Sequence, residues 1–318
     1  MDYQNQKSPE GAGSIRYDSS RHYVTTSPDC RPAYAFWNAM VAVFGRGLPP
    51  PLPDGLIHRF HVPGDRPSTI NGWYVLHLDG IPAGTFGSWK TGETHHWSSR
   101  TPTSLIESQL IARRSEQARR LREAERRQCQ QSTAEYARDL ISDAGPADPY
   151  HPYLHRKGCL PHGLRQRGDL LLVLLYHAGR LVNLQRIGPD GSKRFLHGGR
   201  VTECYSPIGI IKPREPLYIC EGWATGAALH EETGHAVACA MTTGNLLAVG
   251  KHLHQRHPDA VPVIAGDDDR LTEGNPGRTA AIKAAEALSC GLVLPPWCGD
   301  EPLALSDFND LRQWRTRQ

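Results

Sequence analysis

The spacing of hydrophobic and polar positions changes several times along the chain, and each change marks a boundary. From Ala33 to Trp97 the apolar runs are short (GWYVLHLDG, IPAGTFGSW, THHW) and broken by glycine and proline. Turns at Gly72, Asp79-Gly80, Gly84 and Gly87 between such runs predict a small antiparallel β meander. Trp73, Trp89 and Trp97 are expected in its core, stacking on single-stranded bases being their alternative use. Between Leu105 and Ile141 glycine and proline vanish and Arg, Glu, Ala, Leu and Gln dominate, which predicts one long helix. Its middle, RRSEQARRLREAERRQ, offers only Ala118, Leu121 and Ala124 as apolar contacts, so a solvated bridge is expected, with a nucleic-acid surface as the alternative. GPADPYHP then stops the helix.

Beyond Tyr153 the pattern changes again. LLLVLLY and LVNLQRI predict paired strands across an HAGR turn, and PDGSKRF a hairpin leading into FLHGGR. Strands then alternate with helices: PLYICEG, a helix closed by Gly234, HAVACAM, a helix stopped by Pro258, AVPVIAG, a helix ending before Gly291, and LVLPP. That alternation predicts a parallel sheet flanked by helices. Five parts follow: a polar, disordered tail over 1–30; a small β-rich domain over 31–104; a charged bridging helix over 105–145; a basic, mixed α+β part over 146–213; and an α/β domain over 214–318.

Composition narrows the class. The 318 residues carry a net charge of only +3, but the basic residues crowd between Arg113 and Arg127 and again from Arg156 to Arg214. A basic body joined to an acidic pocket suits a nucleic-acid enzyme. No apolar run approaches the ~20 residues of a membrane span, and the N-terminus lacks the apolar core of a signal peptide, so a cytoplasmic protein without membrane contact is expected. The eight cysteines form no C-x-x-C pair, which fits reduced thiols and excludes a cysteine-rich zinc ribbon. GSWKTGE lacks the spacing of a Walker phosphate loop.

The candidate chemistry lies where predicted strands end in carboxylates: Glu221 in YICEGWATGAAL, and Asp267 with Asp269 in VIAGDDDR. Buried parallel strands deliver such groups to the carboxyl edge of a sheet, where α/β proteins bind ligands. Acids from two strands, with oxygen ligands only, suit Mg²⁺ and bound phosphates. Asp268 is expected to point away from its two neighbours, and Gly222 to permit a tight turn after Glu221. His151, His155, Cys159 and His162 have ligand-like separations, yet prolines at 152 and 161 disfavour a helix presenting them, so zinc is not expected.

The ordered set PLYICEGWATG, IAGDDDRLTEGNPGRTAA and LALSDFNDL resembles the Toprim domain of DnaG-type primases, topoisomerases and certain nucleases. The E-G-W-A-T-G form, with upstream YLHRKG and LQRIGPDGSKRFLHGGR, is similar to primases of conjugative plasmids and satellite phages. The match covers roughly residues 150–318, about half the chain. It implies an α/β fold with a Toprim-type parallel sheet, and a DNA primase making short RNA primers on a single-stranded DNA template from NTPs with Mg²⁺ or Mn²⁺. Glu221, Asp267 and Asp269 are then the catalytic metal ligands, joined by Asp307, with Asp310 and Asn309 secondary. Arg156, Lys157, Arg186, Lys193, Arg194 and Arg200 form a basic cluster for nucleotide and template. Thr225 departs from the DnaG pattern, which often has a second acid there. Any replicative helicase is expected as a separate protein. A Toprim-type nuclease, a phosphoacceptor domain and a non-catalytic DNA-binding accessory are the rival readings.

Overall fold

The computed structural model describes residues 30–318, so the expected tail lies outside the described residues. Contacts divide the chain into two compact units, up to Arg122 and from Glu123 onward, and the division falls inside the long helix.

The described residues of the first unit start with a helix, α1 (Cys30–Phe44), followed by β1 (His58–Phe60), β2 (Gly72–His77), β3 (Ala83–Ser88) and β4 (Thr94–Ser98) in one antiparallel sheet ordered as in the chain. The meander matches expectation, whereas α1 corrects it. Phe36 and Met40, one helical turn apart, are fully buried against Phe60, Tyr74, Leu76 and Phe86. Gly84 and Gly87 lie inside β3 rather than at turns. A side chain at Gly84 would collide with the Val75 carbonyl and the Phe36 ring, so the position is small because helix and sheet meet there. Trp97 packs edge-on against Phe36 at 5.5 Å, and Trp73 is 1% exposed beneath the Arg122 guanidinium at 4.0 Å. Those two are core residues.

Helix α2 (Leu105–Ser142) has the predicted length. Three of its arginines meet acids one turn away: Arg119 and Arg120 pair with Glu116, and Arg127 with Glu123. Such exposed pairs suit a solvated face.

The second unit holds two sheets. The first is antiparallel, ordered β5 (Gly145–Pro146), β6 (Arg165–Arg167), β7 (Leu170–His177), β8 (Arg180–Ile187) and β9 (Lys193–Phe195). One face packs Leu172, Leu184 and Leu196 on Ala137 and Leu140 of α2; the other sends Leu171, Val173 and Ile187 into the main core. Between β5 and β6 a short helix, α3 (Pro152–Lys157), corrects the expectation that prolines bar a helix there. Pro152 occupies the first turn, where no N–H is needed.

The second sheet is ordered β10 (Ser206–Ile208), β12 (Ala236–Cys239), β11 (Pro216–Cys220), β13 (Val261–Ala265) and β14 (Gly291–Val293). Only the edge strand β10 is antiparallel. Helices α4 (Trp223–Thr233), α5 (Leu246–Arg256) and α6 (Pro276–Leu288) connect the parallel strands, and α7 (Phe308–Thr316) closes the chain. Residues of α4 join one core and those of α5 and α6 the other, so the helices cover opposite faces. The chain runs from β11 out to β12 and returns to β13 on the other side of β11. The carboxyl ends of β11 and β13 therefore flank a topological switch point, where open α/β sheets form their crevice. No helix among the described residues is long and apolar enough to cross a membrane.

Candidate active site

Glu221 directly follows β11 and Asp267 lies two residues beyond β13; Cys220 and Ala265, the last residues of these strands, are register partners. The Glu221 carboxylate accepts a hydrogen bond from the Thr243 hydroxyl in the turn before α5. Asp267 Oδ1 is buried with no hydrogen-bond partner. Burial raises the Asp267 carboxyl to about 8, and the charges of Asp307, Glu221, Asp269 and Asp310 add to the rise. Four further carboxylates thus act on one that the fold leaves without a donor.

The other acids divide their oxygens. Asp269 Oδ2 accepts the Gly277 N–H in the first turn of α6 at 3.0 Å. Asp307 caps α7 through the Asp310 N–H at 2.7 Å; burial chiefly raises its carboxyl, opposed in part by a hydrogen bond from Thr225. The helix-capping and acidic-site uses of Asp307 are therefore one arrangement, and the departure at Thr225 supplies a hydroxyl to it. Asp310 accepts from Lys157 Nζ at 3.2 Å.

The donor set fits a hard divalent cation: oxygen ligands, mutual repulsion and one orphaned carboxylate atom. Among the described residues no three His, Cys, Asp or Glu side chains stand together as a finished metal site.

Asp268, beyond the end of β13, is held by partners of its own. It is 4% exposed and accepts from Asn275 Nδ2 at 2.7 Å and Trp297 Nε1 at 3.0 Å, with Arg278 at 3.7 Å. Trp297 also stacks under Arg270, its ring 3.9 Å from the guanidinium. Removing a buried carboxylate strands these donors, so Asp268→Ala should lower stability by about 2–4 kcal/mol. Denaturant unfolding measures this, and a loss below about 0.5 kcal/mol would deny Asp268 that role.

Gly277, in the first turn of α6, escaped sequence reasoning. A side-chain carbon there would sit 2.8 Å from Asp269 Oδ2 and 2.9 Å from the Asp267 carbonyl. The signal was present in NPGR, a proline followed by a glycine at a helix start. Gly222 needs no special conformation, since φ −91° and ψ 151° are ordinary extended values; this corrects the expected tight turn.

The expected basic cluster separates. Lys193 faces the acids: desolvation and then neighbouring Lys157 hold its ammonium below the usual lysine value, while Asp307, Glu221 and Asp267 pull it upward. By surface area Lys193 is exposed, so its place beside the acids rests on their charges rather than on burial. Lys193 Nζ and the Arg156 guanidinium lie 5.8 Å and 5.9 Å from the Tyr153 ring, and Arg156 donates to the Pro189 carbonyl. Arg194 is the register partner of Arg186 while Lys193 partners Ile187, so strand alternation sends Arg186 and Arg194 to the opposite face. Arg200 is neutralised by Glu203, three residues on. Asn309 is fully buried, donating to the Lys157 carbonyl at 2.8 Å and accepting from Gln313, so it ties α7 to α3 instead of joining the acids.

The four zinc-like positions have separate surroundings: His151 meets the Asp169 carbonyl, His162 meets Glu231, Cys159 is buried near Arg312, and His155 is exposed.

Residues 216–318 match the family model described as Toprim domain. The chain is also 35% identical over 258 residues to a DNA primase TraC of Escherichia coli, covering 77% of this chain and 18% of that protein. A second Escherichia coli protein of the same name is 36% identical over 265 residues, covering 77% and 24%. The chain thus spans about a fifth of the length of these curated relatives. Among solved structures, the DnaG catalytic core superposes with a TM-score of 0.32 at 15% identity, over 46% of this chain and 49% of that one. A bacteriophage T7 lagging-strand DNA polymerase structure with the primase domains of two gp4 subunits gives 0.31 at 11% identity, over 46% and 75%.

Proposed function

We propose that the chain is a DNA primase, making short RNA primers on single-stranded DNA for the replication of a mobile element. The observation that carries the reading is the buried Asp267 carboxyl, its Oδ1 unpartnered, on which the charges of Asp307, Glu221 and Asp269 act, with Lys193 feeling the same acids. The identity to two proteins named DNA primase supports it. In this reading residues 146–213 and 214–318 together make the primase core, 31–104 is an accessory domain and 105–145 a bridge. Glu221, Asp267, Asp269 and Asp307 hold the cation, with Asp310 behind them. Bound there, Mg²⁺ or Mn²⁺ lowers the pKa of the attacking 3′-hydroxyl and neutralises charge on the attacked phosphate and the departing pyrophosphate.

The protein's own groups have distinct parts. The Thr243 hydroxyl fixes the Glu221 carboxylate, and the α6 and α7 N-terminal N–H groups fix Asp269 and Asp307. Lys193, with Lys157 and Arg156, meets the triphosphate of the incoming nucleotide. A cytoplasmic setting and a separate helicase belong to the same proposal.

The test is direct. The protein, single-stranded DNA, labelled ATP or GTP with the other NTPs, and Mg²⁺ or Mn²⁺ should yield short products. Shortening of labelled DNA with no nucleotide incorporation would instead establish the nuclease reading, which shares the carboxylates. Lys193→Ala should raise the nucleotide KM by roughly 10-fold or more, since a hydrogen bond to a charged group contributes about 1.5–3 kcal/mol. Unchanged KM and kcat would remove Lys193 from the site.

A further inference from the structure

The antiparallel sheet carries an arrangement that the acidic site does not use. Arg165 of β6, Leu172 of β7, Arg186 of β8 and Arg194 of β9 are successive cross-strand partners. Three arginines and a leucine thus form one row, on the face that packs against the end of α2. Adjacent strands lie about 4.8 Å apart. Arg186 and Arg194 are therefore direct neighbours of like charge, a pairing that costs stability.

The fold does little to offset that cost. Among the described residues Arg165, Arg186 and Arg194 form no ion pair; the acceptors recorded for them are the backbone carbonyls of Ala144 and Lys193. Nε of Arg165 and Nε of Arg186 are buried with no acceptor at all. Arg167, on the same face, reaches Asp143 only at 3.9 Å across an exposed gap. Three arginines of the same unit do have carboxylate partners, Arg200 with Glu203, Arg312 with Glu231 and Arg127 with Glu123. A local conflict that the rest of the fold leaves unrelieved marks a position kept for binding.

We infer that this row is a contact for the phosphate backbone of single-stranded nucleic acid, separate from the cations beside the carboxylates. Guanidinium forks suit phosphate oxygens, and long side chains on a regular strand spacing can follow a flexible backbone. An incoming phosphate relieves the Arg186–Arg194 repulsion and supplies acceptors when the side chains turn onto it. Lys193, adjacent to Arg194 in sequence, faces the other way, so a strand held on the row lies on a different face of the sheet from the acids. The choice of a phosphate backbone rests on the row itself; the choice of a single strand rests on the template role proposed above.

The experiment is the salt dependence of oligothymidylate binding, followed by fluorescence anisotropy without metal or nucleotide. Replacing both Arg186 and Arg194 with Gln should raise Kd about 10-fold and reduce the log–log salt slope by roughly 1.4, at about 0.7 per contact. The double Lys variant keeps both charges and should keep most of the slope. Arg194→Glu should raise Tm, by pairing with Arg186, while weakening DNA binding. If the double Gln variant fails to fold, Arg194→Gln alone, at an exposed position, should still lower the slope by about 0.7. An unchanged slope in a folded variant overturns the inference. So does a loss seen only when metal and nucleotide are present, which would assign the row to the acidic site. A larger change for duplex DNA than for oligothymidylate overturns the single-strand assignment. Failure of the wild-type chain to make primers, with the slope effect intact, would count against the primase reading and leave the row standing.

Discussion

Glu221→Gln should leave the protein folded and lower primer synthesis by on the order of 10³-fold or more. The amide keeps a carbonyl oxygen for the Thr243 hydroxyl, so the local hydrogen bond survives. What disappears is a negative charge at the end of β11, where the proposal needs an anionic ligand. Losing several kcal/mol of metal-derived charge stabilisation corresponds to about three decades in rate, at 1.36 kcal/mol per decade. The same change removes one of the charges that push the Asp267 carboxyl upward, so metal-free stability should hold or rise slightly. Primer yield measured beside thermal unfolding separates the two effects. A folded Gln variant with wild-type-like activity would sink the assignment of Glu221.

The second sheet was legible because its signals are local. Apolar strands bounded by Pro and Gly alternate with helices, so the parallel strands and the placement of Glu221 and Asp267 at their ends could be read directly. The edge strand β10 was not legible: three residues from Ser206 to Ile208 become a strand only by pairing antiparallel with β12, thirty residues later. Helix α1 was missed because its aromatic residues resemble strand formers, although Phe36 and Met40 carry helical spacing. The basic cluster shows the opposite error, in which chain neighbours were grouped although the predicted hairpin implied alternation. Read at period two, KRF already separates Lys193 from Arg194. Likewise the pairing of Arg200 with Glu203 was within reach, since the two are three residues apart. The anchoring of Asp268 by Trp297, by contrast, joins positions 29 residues apart and has no local signature.

Asp267→Asn should both silence the enzyme and stabilise the metal-free protein. The folded chain holds the Asp267 proton up to about pH 8, whereas the unfolded chain releases it near the ordinary aspartate value of 3.8. A carboxyl raised in this way contributes its full stability below about pH 4, loses it progressively as pH climbs, and has lost all of it above about pH 8. At pH 7 the wild-type chain should therefore be less stable than the Asn variant by on the order of 2–4 kcal/mol, roughly 5 °C or more in Tm. The gap should close near pH 4, where both forms are neutral. Divalent cation favours the ionised carboxylate, so Mg²⁺ should raise the wild-type Tm, and more at pH 8 than at pH 5, while moving the Asn variant little. The two contributions have one cause: acids gathered for a cation repel one another until it arrives. Equal melting of wild type and variant from pH 4 to pH 8, with the same response to Mg²⁺, would show that Asp267 is not the carboxylate on which that repulsion converges.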